Sequence, residues 1–422
     1  MSIDKQLVKN ILVDNIENIQ RLDFVTRKLT LENRMPTILI GVRRCGKSFL
    51  LYQKMNELVA EGYSWEDFLY VNFEDERLIG FDVNDFNLLL EAYYSISNKN
   101  PVLFLDEIQN IDGWEKFARR IADEKRVIFI TGSNSKMLSK EMASVLGGRF
   151  VAKSVFPYSF REFLKAKALT MDDISLLSTR MKGEIFHNFE EYFRFGGFPE
   201  LISFINKREY LSSIYNKIYL GDIVLRYKVT NSLALEVMIK KLADTVRHPI
   251  SFNRLRNIVN AVGVSIGTST IIQYLEYVIE SQIIFSIVNF AGKLVVKATT
   301  PKYYFIDNGL LNLFLIDADP ALLENLVAVA LMEKYGAGAV YYYHNNVEVD
   351  FYIPEEGLGI QACYSLGDMN TRDREVNALV KLAKYADLKK LLIITYDDEE
   401  GVIEEKGLVI EVVPVWKWLL NN

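Results

Sequence analysis

Thr37-Ile38-Leu39-Ile40-Gly41-Val42-Arg43-Arg44-Cys45-Gly46-Lys47-Ser48-Phe49 is the stretch on which the reading of this chain turns. A short apolar run, expected as a buried strand over Ile38 to Ile40, enters G-x-x-x-x-G-K-S, and helical spacing follows from Phe49 to Ala60. Strand, loop and helix in that order is the context in which this pattern marks a phosphate-binding loop. Its glycines let the backbone close around phosphate oxygens, while successive N–H groups and the helix N-terminus supply positive potential. Gly41, Val42, Arg43, Arg44, Cys45, Gly46, Lys47, Ser48 and Phe49 are therefore expected to line ATP. Lys47 would reach the β- and γ-phosphates, and the Ser48 hydroxyl would ligate Mg²⁺. The Arg43 and Arg44 side chains either touch phosphates or point to solvent. Cys45, placed inside the loop, predicts sensitivity to thiol reagents and no chemical role.

Downstream, Pro101-Val102-Leu103-Phe104-Leu105-Asp106-Glu107 is an apolar strand that ends in two carboxylates, the form of a Walker B motif. Asp106 is expected to hold the magnesium ion and Glu107 to polarise the attacking water as general base. A further strand, Val127 to Ile130, ends in Thr131-Gly132-Ser133-Asn134. Two readings of Ser133 and Asn134 stand. They orient the lytic water or sense the γ-phosphate, or they cap a helix beginning near Lys136.

With Phe68 to Phe73, these runs alternate with helical stretches, so a parallel sheet flanked by helices is expected up to about residue 160. At 422 residues the chain is long enough for two or three domains. The pattern suggests an ATPase domain over 1–160, a helical lid or linker over 161–229, a winged-helix-like domain over 230–306 and an α/β domain over 307–422. In the second segment Phe186, Phe189, Tyr192 and Phe193 recur at helical spacing and are expected to be core.

Half of the residues are hydrophobic, a quarter are charged and the net charge is -6, the balance of a folded protein with no general attraction for polyanions. Cys45 and Cys363 form no CxxC, and His187, His248 and His344 are scattered, so neither a zinc site nor a disulfide framework is indicated. Met1 to Asn10 holds no apolar signal core, and charges interrupt every apolar run before about 18 residues. These features predict a cytoplasmic protein without membrane contact.

Ser232 to Arg247, Ser251 to Ala261 and Thr270 to Glu280 read as three helices, followed by strands over Ile283 to Phe290 and Lys302 to Ile306 with a loop between them. That is the winged-helix layout, whose third helix can enter the major groove of DNA. Lys240, Lys241, Arg247, Arg254, Arg256, Lys293 and Lys297 make the segment mildly basic, but Thr270 to Glu280 offers only Gln273 as a base-reading side chain. DNA contact and protein packing both remain open. From Pro301 onward 20 Asp and Glu stand against 10 Lys and Arg, which disfavours close approach of DNA there.

The paired arginines of the loop, Leu105-Asp106-Glu107-Ile108-Gln109, Thr131-Gly132-Ser133, Gly147-Gly148-Arg149 and Phe156-Pro157-Tyr158-Ser159-Phe160-Arg161-Glu162-Phe163 together resemble prokaryotic AAA-type ATPases of the archaeal-ATPase kind. Gly196-Gly197-Phe198-Pro199 and Leu220-Gly221-Asp222-Ile223 extend the resemblance over nearly the whole chain. It implies a C-terminal domain of unknown function with a restriction-endonuclease-like core. It also implies that Arg149 acts on the γ-phosphate from its own or a neighbouring subunit, the alternative being an ion pair with an acidic neighbour. A homo-oligomer or a protein partner is thus within the reading. In the nuclease-like fold a helical Glu, a strand Asp and a Glu-x-Lys form a metal site. Glu324 and Asp350 match, Gln361 can offer an oxygen, and Cys363 stands where the lysine belongs. Without that cation the site is expected to be degenerate and used for assembly. The function expected is an ATPase switch or motor that couples nucleotide state to the C-terminal domains. The alternatives are a DNA-processing protein with ATP-regulated contact and a nucleotide-gated scaffold.

Overall fold

Short apolar runs with few charges become strands buried on both faces, as parallel sheets require. In the computed structural model, which describes residues 3–134, 137, 140–169 and 178–421, the elements of the N-terminal half are α1 (Lys5–Gln20), β1 (Thr37–Ile40), α2 (Lys47–Ala60), β2 (Phe68–Asn72), α3 (Phe86–Tyr94), β3 (Val102–Asp106), α4 (Trp114–Asp123), β4 (Ile128–Gly132), α5 (Lys140–Val145) and β5 (Val151–Ser154). Their sheet has the order β2-β3-β4-β1-β5 and every pairing is parallel. Leu39, Leu103, Phe104, Leu105 and Ile128 are fully buried within it. Helix α1 starts where the Asp4 side chain accepts the Leu7 N–H at 2.8 Å, and it covers the sheet with Val8, Ile11 and Leu12. Strand β5 lies outside the sequence expectation. It is an edge strand whose residues are largely exposed, and it carries Lys153, so it gives no apolar run to detect.

Two compact units emerge, Met1–Phe156 and Pro157–Asn422. The expected divisions at 160/161, 229/230 and 306/307 all fall inside the second.

That unit opens with α6 (Phe160–Ala166), α7 (Thr179–Phe195), α8 (Lys207–Lys217), a π-helical continuation over Ile218–Leu225, α9 (Ser232–Asp244), α10 (Phe252–Ala261) and α11 (Thr268–Glu280). In the aromatic stripe of α7, Phe189, Tyr192 and Phe193 are core as expected, and Phe186 is half-buried. Phe189 and Phe193 are fully buried and pack with Phe160 and Tyr396. Next come β6 (Ile284–Ile287), α12 (Leu294–Thr299) and β7 (Lys302–Phe305), with β6 and β7 antiparallel. The loop expected between these strands thus contains a short helix, and β7 is buried along its whole length.

The remaining elements are α13 (Asn308–Asn312), α14 (Asp319–Tyr335), β8 (Tyr341–His344), β9 (Glu348–Ile353), β10 (Leu358–Ala362), α15 (Met369–Leu382), β11 (Lys390–Thr395), β12 (Gly401–Glu405), β13 (Leu408–Pro414) and α16 (Val415–Asn421). The second sheet has the order β12-β13-β11-β10-β9-β8. Strands β8, β9 and β10 form an antiparallel meander, and α15 leads into β11, which runs parallel to β10. The Gly196-Gly197 motif acquires a structural reason here. Asp307 accepts the N–H groups of Gly197, Gly309 and Leu310, and a Cβ on Gly196 would lie 2.0 Å from its carboxylate. No described helix is long and apolar enough to cross a membrane.

Candidate functional site

The parallel register places the ends of β1, β3 and β4 side by side, with Ile40 opposite Gly132 and Leu105 opposite Ile130. The loop that leaves β1 is tight. A Cβ on Gly41 would meet the Val155 carbonyl oxygen at 2.1 Å, so only glycine fits there. Arg44 and Gly46 take positive φ, 64° and 98°, which curls the loop into the N-terminus of α2.

Lys47 is buried, and its ammonium donates to the carbonyls of Gly41 at 3.1 Å and Val42 at 3.3 Å. It also lies 3.0 Å from Glu107 Oε1. Burial works against its charge, but the Glu107 carboxylate, with Cys45 and Asp106 beside it, outweighs burial and raises its pKa. For Glu107 burial alone would raise the pKa, yet Lys47 and a hydrogen bond from Gln109 hold it below the ordinary value. Glu107 sits at φ 51°, a strained conformation for a non-glycine residue. Its N–H is anchored by the Thr131 hydroxyl at 2.9 Å.

Asp106 is fully buried, and its carboxylate accepts hydrogen bonds from Tyr70 at 2.8 Å, from the Thr131 hydroxyl and from Ser48. Burial, then the charge of Glu107, push its pKa up against those three donors. A buried carboxylate met by hydroxyl groups gains from a hard cation, and the Ser48 and Asp106 oxygens are donors that suit Mg²⁺. The residues fit the ion the motif implies.

Of the candidate residues, Lys47, Ser48, Asp106, Glu107 and Ser133 are brought together. Ser133 is buried and accepts from Gln109 Nε2 at 3.2 Å, and the same nitrogen donates to Glu107 Oε2 at 2.6 Å. Asn134 is half-buried beyond it, and the helix start expected near Lys136 lies outside the described residues. Arg43 pairs with Glu74, whereas Arg44 is exposed. Phe49 is also exposed and stacks edge-on against Phe24 and Tyr52. Arg149 is exposed, and its guanidinium pairs with Asp123 at the end of α4 and donates to the Gly147 carbonyl at 3.2 Å. Here the ion pair with an acidic neighbour is what forms. The expected reactivity of Cys45 is corrected. Its thiol is fully buried and burial raises its pKa, so little nucleophilic thiolate is presented.

Tyr70, Gln109 and Thr131 were not among the sequence candidates. Thr131 and Gln109 sit inside motifs already quoted, and a polar residue at a strand tip was the available signal. Tyr70 gave none, because only the pairing of β2 with β3 carries it to Asp106.

In the second unit Glu324 on α14, Asp350 on β9 and Gln361 on β10 converge, but so does a residue that the sequence did not single out. The fully buried Lys302 of β7 lies 3.3 Å from Glu324, 3.3 Å from Glu348 and 3.4 Å from Asp350. Burial opposes its charge, and these three carboxylates overcome it and raise its pKa. Glu324 also accepts from Tyr304 at 2.8 Å and lies 3.6 Å from Arg247. The Gln361 amide oxygen accepts the Asp350 N–H at 2.8 Å, and its nitrogen donates to Glu375 at 2.7 Å. Cys363 is turned to the Ser365 carbonyl at 3.2 Å. A cation thus enters this cluster from β7, far in sequence from position 363.

An AAA domain profile matches residues 33–164, and a domain of unknown function (DUF8612) matches 186–321. Uncharacterized protein MJ1544 of Methanocaldococcus jannaschii is 37% identical over 99% of this chain and 96% of its own length. An uncharacterized protein of Haemophilus influenzae is 32% identical over 91% of this chain and 94% of its own. Among solved structures the Walker-type ATPase PABY2304 of Pyrococcus abyssi is similar with a TM-score of 0.41 and 15% identity, covering 74% of this chain and 96% of that one, too low a score to bear on function. The chain thus carries a P-loop and a parallel sheet within an AAA domain, and it belongs to the same family as MJ1544 and the Haemophilus influenzae protein.

Proposed function

We propose that this protein hydrolyses ATP at the P-loop and uses the nucleotide state to switch its second unit. The observation that carries the reading is the buried Lys47–Glu107 pair, held beside Ser48 and Asp106 at the tips of adjacent parallel strands. Bound Mg²⁺, held by Ser48 and Asp106, supplies charge neutralisation for the β- and γ-phosphates.

The chain's own groups do the rest. Backbone N–H groups from Gly41 to Ser48 cradle the phosphates, and Lys47 turns its ammonium from Glu107 to the γ-phosphate oxygens. Losing that partner raises the basicity of Glu107, since Lys47 is what holds its pKa down. Glu107, fixed by the Thr131 hydroxyl at its backbone and by Gln109 at its carboxylate, then accepts the proton of the attacking water. Gln109 links this carboxylate to Ser133, so a change at the γ-phosphate can pass to β4. Arg149 remains available for a neighbouring subunit's nucleotide only if the Asp123 pair opens.

Helices α9, α10 and α11 followed by the β6–β7 pair support a winged-helix reading of 230–306. The order α14-β8-β9-β10-α15-β11, a meander followed by a helical crossover to a parallel strand, supports a restriction-endonuclease-like reading of 307–422. The exposed residues of α11 include Gln273 and Glu276, and the helix has no Lys or Arg, so a protein partner or a second copy is favoured over DNA as what the switch acts on. We place the protein in the cytoplasm. The test is limited proteolysis of the full chain with and without ATP and Mg²⁺. Cleavage within 157–422 should change with nucleotide in the wild type and stay constant in Lys47→Ala. An unchanged pattern in the wild type would sink the coupling.

A further inference from the structure

Every donor that a restriction-endonuclease-like core would offer a divalent ion is already engaged in this protein. Glu324 is shared by Lys302, Tyr304 and Arg247. Asp350 Oδ1 faces Lys302, and its Oδ2 accepts the Ala362 N–H at 3.0 Å. Gln361 has its amide oxygen on the Asp350 N–H and its nitrogen on Glu375. The donor set does not fit a metal.

We propose that Lys302 is a tethered ammonium that stands in for the divalent ion among Glu324, Glu348 and Asp350, so that the C-terminal core is a metal-independent, non-cleaving module. Three observations carry this. The ammonium lies at nearly equal distance, 3.3–3.4 Å, from three carboxylates that come from α14 and β9. The lysine is fully buried, whereas a lysine that activates water beside a metal must reach water. The Tyr342 ring, 5.6 Å from Nζ, closes another side of the charge. The buried Glu324, the half-buried Asp350 and the exposed Glu348 repel one another unless a cation sits between them, and a covalently held cation needs no supply from solution. The proposal is independent of the P-loop reading.

The test uses the full chain carrying Asp106→Asn, without nucleotide, so that the P-loop does not take up the probe. Free Mn²⁺ is counted by electron paramagnetic resonance. With Lys302 present the chain should bind no Mn²⁺ that depends on Asp350. Lys302→Met in the same background should gain one bound ion per chain and lose it again with Asp350→Asn. If Lys302→Met does not fold in metal-free buffer, refolding in saturating Mn²⁺ decides. Recovery supports the proposal and continued failure overturns it. Folded Lys302→Met that binds no Mn²⁺, or Asp350-dependent Mn²⁺ binding or DNA cleavage by the chain with Lys302 intact, would also overturn it.

Discussion

Replacing Thr131 by valine removes one hydroxyl and leaves almost the same volume. That hydroxyl accepts the Glu107 N–H at 2.9 Å and donates to the Asp106 carboxylate, with both partners buried. Leaving a buried donor unmatched costs about 1–3 kcal/mol, and a lost hydrogen bond to a charged group costs about 1.5–3 kcal/mol. Asp106 keeps Tyr70 and Ser48, so the second loss falls at the low end. Thr131→Val should therefore destabilise the first unit by about 2.5–4.5 kcal/mol. Urea titration read by amide hydrogen exchange on β3 and β4 reports on this unit alone. Tryptophan emission would mix Trp65 and Trp114 with Trp416 and Trp418 of the other unit. Because Glu107 is held at φ 51° from this same hydroxyl, phosphate release should also fall about tenfold to a hundredfold. A variant of unchanged stability and unchanged turnover would refute the view that Thr131 fixes both carboxylates.

Gly41→Ala should cost about 1–3 kcal/mol or more and weaken ATP binding, because its Cβ would press on the Val155 backbone oxygen; thermal melting with and without nucleotide checks this. Cys45 should resist a thiol reagent in the native protein and react once urea unfolds it, since the side chain is fully buried. Prompt modification of the folded chain would contradict the packing of the loop. Burial pushes Asp307 up to about 6 from an ordinary 3.8, against three backbone N–H donors. The folded chain then holds a proton that the unfolded chain releases. This contribution is full below about pH 4 and is lost as pH rises through about 6, a swing of about 3 kcal/mol. Asp307→Asn should lack that swing in urea midpoints measured at pH 3.5 and pH 7.5, where most of it falls.

The sequence made the phosphate site legible because its chemistry is local. Gly41 to Ser48 is one loop, and Asp106-Glu107 is one strand tip. What tunes those residues was not legible, because it arrives through strand register. Tyr70 reaches Asp106 from 36 positions away and Thr131 from 25. The same reason hid Lys302, which meets Glu324 from 22 positions away and Asp350 from 48, across a strand pair that periodicity shows only as two apolar runs. A search restricted to the expected Glu-x-Lys position finds Cys363 and concludes that the cation is gone. The cluster nevertheless holds a cation, because Lys302 enters it from a strand far in sequence from position 363. Strand β5 escaped for a different cause: an exposed edge strand needs no apolar alternation when the backbone of β1 holds it.

The most direct test of the account is single-turnover phosphate release from ATP and Mg²⁺ by the wild type and by Glu107→Gln, with nucleotide binding measured in parallel. Glu107→Gln should bind ATP as well as the wild type does and release phosphate at least about a hundredfold more slowly. Equal rates in the two chains, or no phosphate release from the wild type, would contradict it.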